Sequence, residues 1–308
     1  IRLARQHKVK VYLACNIYSR NHERNTLETY LEQVGNLGPD AVIVSDPGIL
    51  HLCRNIIPHI DIHLSTQANT TNYTALEFWK QAGVKRVNLA RELSLDEIKD
   101  IAQRSIIETE VFIHGAMCVS YSGRCLLSSF LSDRDSNRGL CSHPCRWKYA
   151  VVEEQRPGEY MPITEDDRGT YLFNSKDLCM IDHIPELVES GVTSLKIEGR
   201  MKGVNYLATI LKTYRAAIDS YCENPADYCV DPSWHTELDQ IFNRTYCTGF
   251  FLSHPDNGKC NWQNERTGKI HSFIGKIVST RENNSHHVEI RNKLSCNDEV
   301  EVVTPGQS

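Results

Sequence analysis

The run Ala41-Val-Ile-Val44, closed off by Ser45 and Asp46, is a short β-branched apolar stretch that ends abruptly in polar residues. Four such residues are too few for a helix and suit a strand buried on both faces, as strands of parallel sheets are. The same pattern recurs outward from it. Apolar strand patterns occupy 10–14, 60–64, 86–89, 110–113, 171–173 and 194–197, and amphipathic helical patterns fill 26–34, 74–83, 95–104, 181–191 and 205–221. Strands alternating with helices in this way predict an α/β fold, a TIM-like (β/α)8 barrel lacking its N-terminal part. A doubly wound open sheet is the competitor; no strand is followed by the Gly-rich phosphate turn that such sheets often carry.

In barrels of this type chemistry gathers at the C-terminal ends of the strands. Here those positions hold Asn16, Ser45, Asp46, Thr66, Gln67, Arg91, Glu92, His114, Asn174, Lys176, Asp177, Glu198 and Arg200. Any one polar loop residue is ordinary, but the full ring predicts a single polar mouth. From residue 238 the pattern changes to strand-like alternation at 249–252, 271–279, 287–291 and 299–303, separated by Asn, Asp and Gly turns. The expected organisation is a main domain at 1–224, a linker at 225–237 and a small, truncated β-barrel domain at 238–308. The chain opens on Ile1 inside an apparent helix and stops just past a strand-like stretch, so both modules are expected to be cut short.

A chain of 308 residues that is 40% hydrophobic and 24% charged has the composition of a folded protein. No apolar run approaches the roughly 18 residues of a membrane span, so no membrane partner is expected. With 34 Lys and Arg against 39 Asp and Glu, the net charge of −5 excludes holding nucleic acid by bulk positive charge; a basic surface must be local. Twelve cysteines, with neither a leader nor a small core visible, argue against a disulfide framework and for bound metal or reactive thiols, and a cytoplasmic protein is expected.

Four of these cysteines fall in one long loop, 114–150, with the spacing Cys118-x6-Cys125-x15-Cys141-x3-Cys145. Structural zinc sites favour tight Cys-x2-Cys pairs, and only the second pair here comes close. Thiolates spread along a folded loop suit a larger inorganic core, so iron–sulfur is favoured over zinc, with inert or redox-regulated thiols as a third reading. Cys179 is a substitute ligand, and His114 and His143 are further candidates. The same loop carries Arg124, Arg134, Arg138, Arg146 and Lys148 against Asp133 and Asp135, a local net charge of +3, with Tyr121, Trp147 and Tyr149 interspersed. Cations mixed with aromatics grip phosphates and stack on unpaired bases. A solvated loop whose aromatics cover the cysteines fits equally well.

These residues carry a family resemblance. Glu110-Val-Phe-Ile-His-Gly-Ala-Met-Cys118, Ser122-Gly-Arg-Cys125-Leu-Leu-Ser128, Asn137-Arg-Gly-Leu-Cys141, Cys145-Arg-Trp-Lys-Tyr149, Asn174-Ser-Lys-Asp-Leu178 and Ser194-Leu-Lys-Ile-Glu-Gly-Arg200 together resemble the signature of the U32, or collagenase-like, peptidase family. Asn243-Arg-Thr-Tyr-Cys-Thr-Gly-Phe250 extends the likeness beyond the barrel. The family includes oxygen-independent hydroxylases of RNA bases and of quinone precursors, and the residues around Cys145 resemble the tRNA branch. That resemblance implies formation of 5-hydroxyuridine at the tRNA wobble position, a 4Fe–4S cluster and prephenate as a required metabolite. It also implies Cys118, Cys125, Cys141 and Cys145 as cluster ligands, with Cys179 replacing Cys145 in the quinone branch.

Three functions follow as expectations. In the first, the chain modifies tRNA: His114, Asn174, Lys176, Asp177, Glu198 and Arg200 serve a small anionic metabolite or the target base, and Arg124, Arg138, Arg146, Trp147 and Lys148 hold RNA. Lys176 and Arg200 suit a dicarboxylate, and Asp177 or Glu198 moves protons or orients those cations. A structural Glu198–Arg200 ion pair competes with that role. The second function is a protease, for which His114 with Cys118 is the sole nucleophile pairing worth weighing, since no zinc-protease motif is present. The third is a non-catalytic cluster carrier or RNA-binding factor.

Overall fold

The computed structural model describes residues 1–118, 120–146, 164–166, 169–171, 177–200, 202–241, 246–252, 273–281 and 285–304. Within Ile1–Glu198 and Tyr246–Asn264 these residues form one compact unit, and within Gly199–Thr245 and Glu265–Ser308 a second.

The first unit is built on a mostly parallel sheet. After a short helix α1 (Arg2–Gln6), strand β1 (Tyr12–Cys15) leads to helix α2 (Arg24–Leu37), β2 (Ala41–Val44) to α3 (Pro47–Ile56), β3 (Asp61–Leu64) to α4 (Tyr73–Gln81), and β4 (Arg86–Asn88) to α5 (Leu95–Arg104). Strand β5 (Glu108–Ala116) is followed by the cysteine loop with its short helix α6 (Leu127–Ser132) and, further on, a hairpin of β6 (Thr164–Asp166) and β7 (Gly169–Tyr171). Then come β8 (Asp177–Cys179), α7 (Ile184–Glu189) and β9 (Ser194–Ile197), with β10 (Tyr246–Cys247) returning later.

β1 to β5 pair in sequence order, each parallel to the next, and β9 adds in parallel along the first part of β5. The predicted strands at 41–44 and 194–197 match their observed bounds. Helices start where the side chains cap them. The Asp46 carboxylate accepts from the Ile49 amide at 2.9 Å with Pro47 in the first turn, Asn72 accepts from Ala75, and Ser94 with Glu97 forms a capping box. Leu31, Val34, Ile49, Cys53, Leu76, Ile98 and Ile101 turn the helices' apolar sides onto a sheet whose Val42, Val44, Val87 and Ile113 are almost fully buried.

One pairing departs from the all-parallel ring expected of a barrel. The tip of β5 pairs antiparallel with β8, in the register His114↔Cys179, Gly115↔Leu178 and Ala116↔Asp177, and β10 then joins β8 in parallel. A register shift between Phe112 and His114 interrupts the parallel pairing with β9, which resumes at His114↔Ile197, where the antiparallel pairing with β8 begins. The strand expected at 171–173 is therefore displaced: the main-sheet strand is Asp177–Cys179, while residues up to Tyr171 pair with β6.

The sheet also encloses charge. Glu110, 7% exposed, accepts from Asn88, Ser194 and Lys196 at 2.9, 3.0 and 2.9 Å, and Arg86 lies 3.7 Å away while pairing with Glu108 at 2.6 Å. Burial pushes the Glu110 carboxyl up, but Lys196, Ser194 and Arg86 outweigh it and hold the group below its ordinary range. Beside this network His63 packs edge-on against Tyr12, and burial, reinforced by Arg86, lowers its pKa to about 4, so it stays neutral.

In the second unit helix α8 (Val204–Glu223) packs on α9 (Pro232–Asp239), joined by a Lys212–Glu237 ion pair at 3.2 Å and by Tyr228, which meets Tyr221 edge to face and stacks on Trp234. Residues 225–237 hold a 3-10 turn and the start of α9. A hairpin of β11 (Gly275–Thr280) and β12 (His286–Ile290) follows. Residues 249–252 form a turn, and 299–303 are not a strand, so among the described residues this hairpin is what stands of the expected small β-barrel. No described helix is long and apolar enough to cross a membrane.

Candidate cysteine-loop site at the strand ends

The cysteine loop leaves the C-terminal tip of β5, and the polar strand ends expected to form a mouth are what hold it there. Gln67, just after β3, is the hub. Its side-chain oxygen accepts from Asn16 at 2.6 Å and Ser45 at 3.1 Å, its amide nitrogen donates to the Asn137 carbonyl at 3.4 Å, and its own carbonyl accepts from the Tyr18 hydroxyl at 2.8 Å. Next to it, Thr66 donates to the Leu89 carbonyl and to Ser122, and Glu92, after β4, accepts from the amide of Ser122 at 2.8 Å and from its hydroxyl. Loop and sheet also meet at backbone level. Gly123 has φ +74° and lies so close to Gln67 that a Cβ would overlap that residue's carbonyl oxygen. At the loop's root Gly115, φ +108°, presses on the Glu198 carbonyl in the same way.

Inside the loop the thiols are not independent. Cys118 is an exposed residue, but burial of its sulfur pushes the pKa up to about 11. The Ser120 amide and Arg91 act to lower it, whereas Cys125 and Cys145 stand close enough to raise it further. Cys141 receives the amide of His143 on its sulfur at 3.4 Å, and the Cys125 carbonyl accepts from Ser136 at 2.6 Å. Two cysteines thus take a hydrogen bond from the amide two residues on, an arrangement that stabilises thiolate ligands. All four are at least partly accessible. Among the described residues no three His, Cys, Asp or Glu side chains converge on a single metal-ion position. The donor set is soft thiolate, which fits iron–sulfur or zinc rather than magnesium or calcium.

The other candidate residues fare differently. His114 is buried within β5, its ring 5.3 Å from Tyr246, and its carbonyl accepts the Glu198 amide. Asp177 is fully buried on β8, opposite Ala116 and Tyr246, and Cys179 lies opposite His114. Glu198, half-buried at the end of β9, lies 3.7 Å from Arg91. Arg200 is exposed and belongs to the second unit. Asn174, Lys176, Trp147 and Lys148, with the Arg146 side chain, lie outside the described residues.

Of the basic residues expected to meet RNA, Arg124 is exposed beside Tyr121, which is 65% exposed. Arg138 is committed elsewhere: its guanidinium clasps both Glu23 oxygens and donates to the Tyr18 carbonyl at 2.9 Å, tying the loop to the segment after β1. The Arg138 hydrogen bond, helped by the Arg20 amide, lowers the Glu23 pKa to about 2. Because this folded-state value lies below the ordinary 4.5, the clasp stabilises above about pH 4.5 and is lost as pH falls toward 2. Hydrogen exchange across 120–146 is therefore expected to quicken over that window, and Glu23→Gln to remove the pH dependence; identical profiles for the two proteins would count against the clasp.

Sequence reasoning did not single out Gln67, Glu92, Ser122 or Arg91 for the roles they play. The signal open to it was position, since three of them follow strands in the polar ring.

The model for peptidase family U32 matches residues 1–261. Among curated proteins the chain is 38% identical to tRNA hydroxylation protein P1 of Bacillus subtilis, over 99% of this chain and 72% of that one. It is also 38% identical to tRNA hydroxylation protein P of Escherichia coli, over 96% and 74%. To the Escherichia coli 23S rRNA 5-hydroxycytidine C2501 synthase it is 34% identical, over 76% of this chain and 34% of the relative.

Proposed function

The chain belongs to the peptidase U32 family, and on that premise we propose that it is a tRNA-modifying enzyme converting wobble uridine to 5-hydroxyuridine without molecular oxygen. In this reading Cys118, Cys125, Cys141 and Cys145 hold a 4Fe–4S cluster, prephenate serves as the anionic co-substrate, and the reaction takes place in the cytoplasm. The parallel run β1 to β5 with β9 is read as part of a TIM-like barrel, and the β11–β12 hairpin as part of the small β-barrel after it.

The observation that carries the proposal is that the loop bearing the four cysteines is pinned to the strand ends by Gln67, Thr66 and Glu92, with amide donors on the Cys118 and Cys141 sulfurs. In this reading Cys145 is the fourth ligand, with Cys179 as the alternative. A bound cluster would supply one-electron redox chemistry or a Lewis-acidic iron beside the substrate. The chain's own residues do the positioning: Gln67, Thr66 and Glu92 hold the loop, while Glu198, tied to Arg91, and buried Asp177 border its root as proton-handling or orienting groups. Exposed Tyr121 and Arg124 offer a base-stacking face and a phosphate contact.

Proteolysis by Cys118 is the weaker reading, because a nucleophilic cysteine needs a lowered pKa and this one is raised. The test is expression of the protein in cells stripped of their own 5-hydroxyuridine-forming genes, followed by mass spectrometry of tRNA nucleosides. Restored 5-hydroxyuridine, lost again with Cys118→Ser, is the expected result. Its absence with the unaltered protein would overturn the proposal.

A further inference from the structure

Arg91 emerges from the end of β4 and runs beneath the root of the cysteine loop. Its guanidinium lies 3.8 Å over the face of buried Phe112, donates to the Ala116 carbonyl at 2.7 Å and stands 3.7 Å from the Glu198 carboxylate. The side chain is 14% exposed, and its Nε is buried with no hydrogen-bond partner among the described residues. Ala116 is the last residue of β5, two positions before Cys118.

A buried cation is costly unless an opposite charge repays it. The carboxylates around Arg91 do so incompletely: Glu198 is itself about one-third exposed and beyond close hydrogen-bond range, and Glu92 is engaged by Ser122. Lys196, the other cation over Phe112, has Glu110 at 2.9 Å. Beyond Glu198, the ionisable neighbour of Arg91 is Cys118, two residues past the carbonyl that Arg91 binds, and its sulfur would repay the buried cation once held as a thiolate ligand. A thiolate-ligated cluster is a net anion, so a guanidinium fixed under its root would favour the reduced, more negative state.

We propose that Arg91 is a positioning residue for the cysteine site, setting the backbone from which Cys118 departs and acting as the buried counter-charge of the thiolate centre. The inference rests on the cluster reading above. Arginine suits both roles because its planar fork reaches the Ala116 carbonyl and Glu198 while stacking on Phe112, a geometry that a lysine ammonium does not reproduce.

The test compares the unaltered protein with Arg91→Gln, which keeps a hydrogen-bond donor but no charge, and Arg91→Lys, which keeps the charge. Each is reconstituted anaerobically with iron and sulfide, assayed for both, and titrated with dithionite while the one-electron reduction is followed by electron paramagnetic resonance. Arg91→Gln is expected to be harder to reduce by about tenfold in the equilibrium constant, a drop of about 59 mV. Arg91→Lys, which keeps the charge but not the fork, is expected to stay near the parent potential while holding less iron than the parent. Loss of iron from the Gln variant alone supports the counter-charge equally. Gln and Lys variants that behave alike, in potential and in iron content, would overturn it. A parent protein that takes up no iron and sulfide would instead remove the cluster reading beneath it.

Discussion

A Glu110→Ala chain is expected to be less stable than its parent by about 3 to 5 kcal/mol, because it strips the counter-charge from a buried network and leaves the rest in place. Lys196, Ser194 and Asn88 each donate to Glu110 within 3.0 Å, and Arg86 adds a cation 3.7 Å away. Arg86 keeps Glu108 as a partner, but the Lys196 ammonium and the Asn88 amide have Glu110 as their sole acceptor among the described contacts. Cavity formation adds to the loss, since Glu110 sits in the middle of β5 between β4 and β9. Urea unfolding followed by circular dichroism measures the effect. Glu110→Gln, which retains acceptors for Asn88 and Ser194 but not the charge, should fall between the two. A Glu110→Ala unfolding free energy within about 1 kcal/mol of the parent would show that the cations escape to solvent.

Gly123→Ala is expected to release the cysteine loop while sparing the sheet. Its left-handed backbone costs any L-residue about 1 to 2 kcal/mol, and the new methyl would overlap a backbone carbonyl, which cannot swing aside as a side chain can. Relieving such overpacking costs typically about 1 to 3 kcal/mol more. The cheapest escape is to give up the contacts that the overlap opposes, namely Gln67 to Asn137 and Thr66 to Ser122. Amide exchange across 120–146 should therefore rise at least tenfold, with β2 unchanged. Iron uptake should fall in parallel if the loop carries the cluster. Parent-like exchange in the loop would mean that the Gly123 contact is not what docks it.

Much of the framework was legible because local rules agree with the tertiary outcome. The run at 41–44 is apolar and β-branched and became β2 without adjustment, and the helix expected at 95–104 has those bounds because Ser94 and Glu97 cap it. β8 and β10 are hard to read in the sequence because they have three and two residues, and β8 begins with the buried polar side chain of Asp177, which breaks the apolar pattern. Helix α3 was missed as well, although Asp46 followed by Pro47 is a legible start. Asp46 had been counted in the polar mouth; its carboxylate caps that helix instead. The spacing of Glu108 and Glu110 along one strand gives no sign of their partners, Arg86 and Lys196, which lie on the neighbouring strands.

By itself the chain's order of residues determined the βα alternation and the placing of four cysteines on one extended loop, which rest on spacing between neighbours, and the family, which rests on the likeness of its motifs. Only the tertiary structure decided that the polar strand ends are spent on seating that loop, that Arg138 is bound to Glu23, and that Arg91 is the cation buried at its root. Those outcomes join residues such as Gln67 with Asn137 and Arg138 with Glu23, far apart along the chain. A hydrogen bond acts over about 3 Å of space, whatever the separation in sequence.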